Sequence, residues 1–383
     1  MQLRAHTTPS FFHYLLNGHF VIILIAPQLL HRQTERFQDL IQSIWVKNLG
    51  PFDDRENRVD LAPLTILVGP NNSGKSMVIA GFNLLRHMLF RGGGFQWVTE
   101  SYNLGDFFTA VHKHEQSRSI EVGAWVGSVK VYSLIRAGGF QGVSYDPPHR
   151  GSEATEVLRS TWYFRASRSE VSNQREVGSG ASLPPWAQPL DPSGSNIITY
   201  LLERWTDQDP LWSVAQEWLG KVDPELSILK SPLRGSLASL VMTNKFSNVD
   251  VNLAYQGTGI QKVLTIMAAV IFSPKGSTII VEEPEVHLHK DSQEVLADLF
   301  NFAVKEMGKQ VIFSTHSWDM LLPYISDVAK DMRKRGAGAV PIDSAKFGVQ
   351  EFTRKQGKIS IQEYPLKDKG FKDAATHFGQ LLG

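Results

Sequence analysis

The run Leu64-Thr65-Ile66-Leu67-Val68 passes directly into Gly69-Pro70-Asn71-Asn72-Ser73-Gly74-Lys75-Ser76, and Met77 to Phe90 continues with helical periodicity. A short apolar strand, a loop with a glycine at each end and a helix make up the context that the pattern G-x-x-x-x-G-K-[ST] requires. Gly69 and Gly74 let successive backbone N–H groups wrap an anion, and the helix N-terminus adds partial positive charge. Lys75 reaches outer phosphates, and the Ser76 hydroxyl is available to Mg²⁺. The alternative is a chance glycine-rich turn, and the flanking strand and helix argue against it.

A second motif turns binding into hydrolysis. Ile279-Ile280-Val281-Glu282-Glu283-Pro284-Glu285 is an apolar strand ending in adjacent carboxylates. Glu282 is placed to take the metal and Glu283 to face an attacking water. The metal-side residue of this motif is usually Asp, so the Glu at 282 leaves the division of roles open. The blander reading is an acidic loop at a strand end, and so apolar a run argues against it.

With 383 residues, 42% of them hydrophobic, the chain has ample core for about two structural units. Its net charge of +1 gives no global case for nucleic acid, so any such contact must be a local patch. The absence of cysteine excludes disulfides, thiolate metal sites and cysteine nucleophiles, and fits a cytoplasmic location. Phe20 to Ala26 is strongly apolar, but His13, Asn17, Gly18, His19 and Pro27 break the window below the roughly 20 residues of a membrane span. The β-branched run reads as a strand, and no membrane association is expected. Residues 1–43 form an extension of undefined structure.

From Ile44 the chain reads as two strands joined by a charged turn, the second feeding the phosphate loop. On Asn48-Leu-Gly-Pro-Phe52, the octet at 69–76, Glu282-Glu-Pro-Glu-Val-His-Leu-His289 and Phe313-Ser-Thr-His-Ser317, the sequence resembles the ABC-type ATPase heads of the SMC and RecF class. Within that class it is similar to the AAA-type domains of OLD-like prokaryotic defence ATPases. The resemblance runs from about residue 44 to 325, with a weakly matched middle. It implies an α/β P-loop NTPase with an ABC-type mixed sheet core, flanking antiparallel strands and a helical arm or lid insertion.

The resemblance also assigns residues. Gly257-Thr258-Gly259-Ile260-Gln261 precedes the helical run Lys262 to Phe272 where such heads carry their signature sequence. Thr258 and Gly259 then contact the γ-phosphate held by an opposite subunit, although Ile260 replaces the usual second glycine. A hydroxyl and bare N–H groups at a helix start suit an anion, and a simple helix cap is the alternative. His316, after the strand Gln310 to Phe313, becomes the switch histidine that senses the γ-phosphate. His287 and His289 resemble the dimer-facing loop, and they lack a third ligand for a metal.

Between Lys75 and Thr258 no heptads persist, so no coiled-coil arm is expected. Ser119 to Val126 and Lys130 to Arg136 read as strands around Gly127, with a loop from Asp146. Trp162-Tyr163-Phe164 runs into the basic residues Arg165 and Arg168, a surface loop or a functional one. Residues 169–195 are turn-rich, and Asn196 to Arg204 and Pro210 to Trp218 read as helices, the second capped by Gly220. Trp205, Trp212 and Trp218 suit a core. After His316 a helix from Trp318 to Arg335 and strands Phe347 to Thr353 and Ile359 to Tyr364 complete the head, with no room for the TOPRIM nuclease domain of OLD-like proteins. The basic cluster Lys330, Arg333, Lys334 and Arg335 reads as a solvated helix end or a phosphate contact. Gln96 is a weak candidate for the Mg²⁺-sensing glutamine of transporter heads.

The expected organisation is a head split between 44–145 and 236–383, with an insertion at 146–235. The expected function is an ATPase that uses ATP and Mg²⁺ and dimerises through ATP. It would act as a switch on DNA, RNA or an effector or nuclease partner, in anti-phage defence or DNA repair. A transporter ATPase subunit and a non-hydrolysing ATP-dependent scaffold are the alternatives.

Overall fold

The computed structural model describes residues 10–16, 19–25, 40–91, 106–165, 175–176, 190–204, 210–230, 237–238, 240–324, 347–355, 358–364, 376–377 and 380. The chain opens with an antiparallel hairpin, β1 (Ser10–Leu16) and β2 (His19–Ile25). Next come β3 (Ile41–Lys47), β4 (Asn57–Asp60) and β5 (Leu64–Val68), then helix α1 (Lys75–Arg91). Strands β6 (Ile120–Val126), β7 (Val129–Arg136) and β8 (Gly139–Asp146) lead to α2 (Gly151–Arg159) and β9 (Thr161–Phe164). The two-residue β10 (Arg175–Glu176) precedes α3 (Ile197–Arg204) and α4 (Pro210–Val222). Strands β11 (Leu226–Lys230), β12 (Leu237–Ala238), β13 (Leu240–Asn244) and β14 (Asp250–Asn252) are followed by α5 (Thr258–Phe272) and β15 (Thr278–Glu282). Helix α6 (Lys290–Lys305), β16 (Gln310–Thr315), a helical segment at 318–324, β17 (Phe347–Lys355) and β18 (Lys358–Glu363) complete it.

Two sheets organise these elements. The central one has the order β18-β17-β5-β16-β15-β9, parallel throughout except for β18. Every residue of β5, β15 and β16 is buried, as expected where helices or a second sheet cover both faces. The period of two then divides their side chains. Ile66, Phe313, Ile279 and Trp162 face a core shared with α3 to α6, whereas Leu67, Ile312, Ile280 and Tyr163 face α1 and the second sheet. That second sheet, β4-β3-β6-β7-β8, is antiparallel, and β7 alternates buried and half-exposed positions as a sheet with one covered face must.

The expected hairpin around Gly127 is present. The stretch expected to be a charged turn before Asp60 contains β4, which pairs with β3, so β5 leaves that hairpin for the other sheet. The loop expected from Asp146 follows β8, a strand that the sequence reading did not include, and leads into α2. Gly220 does not cap α4, which runs on to Val222. Residues 161–164 lie inside the boundaries expected for an insertion, yet β9 pairs in parallel with β15 as an edge of the central sheet. Helices α3 and α4 do form, and they lie against α5 and α6 through Tyr200–Phe272, Trp212–Phe272 and Trp218–Phe302 ring contacts. Trp205, Arg168, Gln96 and the basic cluster from Lys330 to Arg335 lie outside the described residues.

Lys75, Lys262 and Lys309 are buried within this frame. Lys309 donates to the carbonyls of Val270, Ile271 and Ser273, closing the C-terminus of α5. Burial brings its ammonium down to about 7, while the helix-end carbonyls and dipole favour the charge it keeps. No described helix is long and apolar enough to cross a membrane.

Candidate functional site

Four parallel strands end side by side at one edge of the central sheet, the place where ligands of open α/β sheets gather. The loop after β5 is shaped by its glycines. Gly69 has φ of 149° and Gly74 of 100°, both outside the range of an ordinary side chain. A Cβ on Gly69 would strike the Phe352 carbonyl, and one on Gly74 would sit 2.6 Å from the Phe52 ring. Pro70, Asn71 and Asn72 form the exposed outer turn, with Asn72 at φ 60°, and Ser73 is buried beneath it.

Lys75 opens α1 and folds back into the loop. Its Nζ donates to the carbonyls of Gly69 at 2.7 Å and Pro70 at 3.0 Å and lies 3.4 Å from the Ser73 hydroxyl. Burial lowers its ammonium to about 8, opposed by the charges of Glu283, Glu285 and Glu282. The loop therefore holds its cation ready but poorly solvated, a state that an anion would relieve.

Glu282 ends β15 in a buried position, where its carboxylate accepts hydrogen bonds from the Tyr163 and Ser76 hydroxyls. Burial raises its carboxyl above the usual range, against the effect of those two donors. Glu283 takes φ of 44°, and its N–H donates to the Ser314 carbonyl at 3.0 Å. Its Oε1 lies 3.5 Å from His316 Nε2, and hydrogen bonding to His316 lowers its carboxyl despite partial burial. The two adjacent glutamates thus have opposite tendencies, one toward retaining a proton and one toward ionisation.

Three residues missed in the sequence hold this arrangement. Glu285 accepts from the Thr315 hydroxyl and the His316 N–H, each at 2.8 Å, and so fixes the backbone that carries His316. Tyr163 positions Glu282 from β9. Lys262, 1% exposed, donates its Nζ to the Glu283 carbonyl. Glu285 was visible in its motif, but its partners come from a neighbouring strand. Lys262 stands in an apolar helical run, the one hint that it is buried.

Thr258 and Gly259 form the first turn of α5, starting earlier than the periodicity predicts. Thr258 is exposed, and no side-chain hydrogen bond caps this N-terminus. Gly259 packs on the loop after Glu283, where an added Cβ would lie 2.6 Å from the His287 carbonyl. Gln261 fixes the approach through the carbonyls of Leu253, Ala254 and Gln256. Lys75, Ser76, Glu282, Glu283 and His316 are brought together by direct contacts or charge, whereas Thr258 is exposed and Gly259 packs on the neighbouring loop. His287 and His289 belong to no group of three metal-ligating side chains among the described residues.

The family model described as "AAA domain, putative AbiEii toxin, Type IV TA system" matches residues 64–322, more than half the chain and the span that holds Lys75, Ser76, Thr258, Gly259, Glu282, Glu283 and His316. The chain belongs to this AAA-domain family. Membership of this family implies nucleotide binding. No curated protein matches this AAA protein in sequence. Among solved structures it is similar to an SMC head bound to the C-winged helix domain of ScpA, at 12% identity and a TM-score of 0.56, covering 86% of this chain and 98% of that one. It is also similar to the Pyrococcus furiosus SMC head with an extended coiled coil bound to the C-terminal domain of ScpA, at 11% identity and a TM-score of 0.54, with 90% and 100% covered. The Pyrococcus yayanosii SMC head with a coiled coil and joint gives 9% identity and a TM-score of 0.51, with 89% and 99% covered. In fold, this AAA protein is similar to SMC head domains.

Proposed function

We propose that this chain is an ATP-hydrolysing head that closes on a second copy of itself around two ATP molecules and reopens on hydrolysis. The observation that carries the reading is the pairing of opposites at the strand ends. The Ser76 hydroxyl meets the Glu282 carboxylate, and an ionised Glu283 lies beside His316. The hydroxyl and carboxylate are hard oxygen donors in contact with one another, a set that fits Mg²⁺. When bound, Mg²⁺ would neutralise charge on the phosphate oxygens.

The protein's own groups do the rest. Loop N–H groups from Gly69 to Ser76 and the Lys75 ammonium bind the phosphates. Glu283 orients a water and receives its proton, and His316 donates to Glu283 and contacts the terminal phosphate. Thr258 and Gly259 complete the site of the opposing copy. The outcome is a nucleotide-driven switch on an effector protein, DNA or RNA, serving anti-phage defence or DNA repair. As working boundaries, the head comprises 44–145 and 236–383, with β9 contributed from the intervening segment.

The test is light scattering with and without ATP and Mg²⁺ on the native chain and Glu283→Gln, with phosphate release recorded in the same samples. An ATP-stabilised dimer of the variant and turnover by the native chain alone are expected. No change of mass and no turnover in either would overturn the mechanism. A second reading, an ATP-dependent scaffold of very slow turnover, draws on the buried Glu282, whose raised carboxyl resists the ionised form that a metal needs. Tight ATP binding and dimerisation of the native chain without phosphate release would favour it.

A further inference from the structure

Three of the four parallel strand ends carry groups already described: Gly69 after β5, His316 after β16 and Glu283 after β15. The fourth strand, β9, ends at Phe164, and the next residue is Arg165. Phe164 lies in register with Val281, which sets Arg165 one step further on, alongside Glu282. The Arg165 N–H is fixed on the Pro192 carbonyl at 3.1 Å. Its guanidinium is close enough to favour the charged form of Glu282. Yet no ion pair joins Arg165 to a carboxylate among the described residues, and its Nε is buried there without a hydrogen-bond partner. Glu282 accepts its hydrogen bonds from Tyr163 and Ser76, and Glu283 turns to His316.

A guanidinium with an idle buried donor is costly unless an anion completes it, and its planar fork suits phosphate oxygens. Geometry selects which phosphate. Strand β9 lies three strand spacings from β5, roughly 14 Å, while the loop after β5 holds the near part of the phosphate chain. An arginine reaching inward from β9 meets the far end.

We propose that Arg165 is a phosphate-binding residue that donates to the terminal phosphate of a nucleoside triphosphate, from the side of the site opposite the glycine loop. This rests on the reading of the strand ends as a nucleotide site and sharpens its ligand class: Arg165 makes the chain prefer a triphosphate to a diphosphate. The rival is a purely structural role, in which Arg165 only balances Glu282. That role predicts lost stability without selectivity.

The test is a binding titration of the full chain with ATP and with ADP, each in excess Mg²⁺ and again in EDTA. Native protein, Arg165→Gln, Arg165→Lys and Lys75→Ala are compared, and each is melted without nucleotide. Arg165→Gln is expected to weaken ATP binding by about tenfold or more, the size of one charge-assisted hydrogen bond, while ADP binding changes by less than about threefold. Arg165→Lys should recover part of the ATP affinity, and both variants should melt close to the native chain. Equal losses for ATP and ADP, or no loss at all in a folded variant, would overturn the proposal. If Arg165→Gln does not fold, the ATP-to-ADP ratio of Arg165→Lys decides on the same criterion. Native-like nucleotide binding by Lys75→Ala would instead overturn the reading of the site itself, and the proposal with it.

Discussion

Two helix N-termini in this molecule, those of α1 and α5, differ in completeness. At α1 the chain supplies everything: a glycine-shaped loop, a buried ammonium on two carbonyls and a hydroxyl against a carboxylate. At α5 it supplies an exposed threonine, a glycine with open space around it at Gly257, and no side-chain cap. The same physics of unpaired N–H groups operates at both. One end is finished by its own chain and the other has no side-chain cap, which suits the proposal of a site shared between two copies.

The widest expected effect breaks the first end alone. Lys75→Ala removes the cation on which the loop closes, and ATP affinity should fall by on the order of 100-fold or more, read by equilibrium titration. Thr258→Ala in the same titration should leave binding to the monomer unchanged while abolishing the ATP-dependent rise in mass. If Thr258→Ala weakened monomer binding as Lys75→Ala does, both ends would serve one nucleotide in one chain, and the comparison would fail.

Next in size is the link between the two ends. Lys262 ties the first turns of α5 to the Glu283 carbonyl. Lys262→Met should therefore cost about 2–3 kcal/mol in urea unfolding, because a half-buried carbonyl loses a charged donor. A stability loss under about 0.5 kcal/mol would mean that the ammonium contributes no net tie.

These residues also mark where the sequence was legible. The apolar runs of β5, β15 and β16 are buried on both faces, so their continuity alone identified them. The glycine loop was readable because its chemistry lies within eight consecutive residues. Strand β4 was not, since in Asn57–Asp60 only Val59 is buried and pairing with β3 decides the rest. Strand β8 carries two glycines and no fully buried residue, which propensity reads as loop. Glu285, Tyr163 and Arg165 act across strands that are distant in sequence, so their partners follow from the order β5-β16-β15-β9 and not from local pattern. Lys262 and Lys309 are buried by tertiary packing, which no local pattern specifies.

A smaller effect probes the contact between α5 and the loop after Glu283. Gly259→Ala would place a Cβ 2.6 Å from the His287 carbonyl, and backbone must shift to admit it. The expected cost is about 1–2 kcal/mol of stability, seen as a lower urea midpoint at unchanged slope. An unchanged midpoint would show that this turn adjusts freely and that Gly259 is there for another reason.

The smallest effect is a pH dependence at the finished end. In the free chain burial holds Lys75 down to about 8. A bound triphosphate favours the ammonium, so the lysine is protonated more strongly with nucleotide than without. Below about pH 8 it is charged in both states and affinity is flat. Above it the free chain must first take up a proton, and ATP affinity should fall by up to about tenfold per pH unit until the bound form also titrates. Titrations at pH 7, 8, 9 and 9.5 at fixed free Mg²⁺ read this directly. A profile flat to pH 9.5 would mean that the carbonyls of Gly69 and Pro70 keep the ammonium fully charged despite its burial. The first end would then be preorganised in charge as well as in shape, and the contrast with α5 would be sharper still.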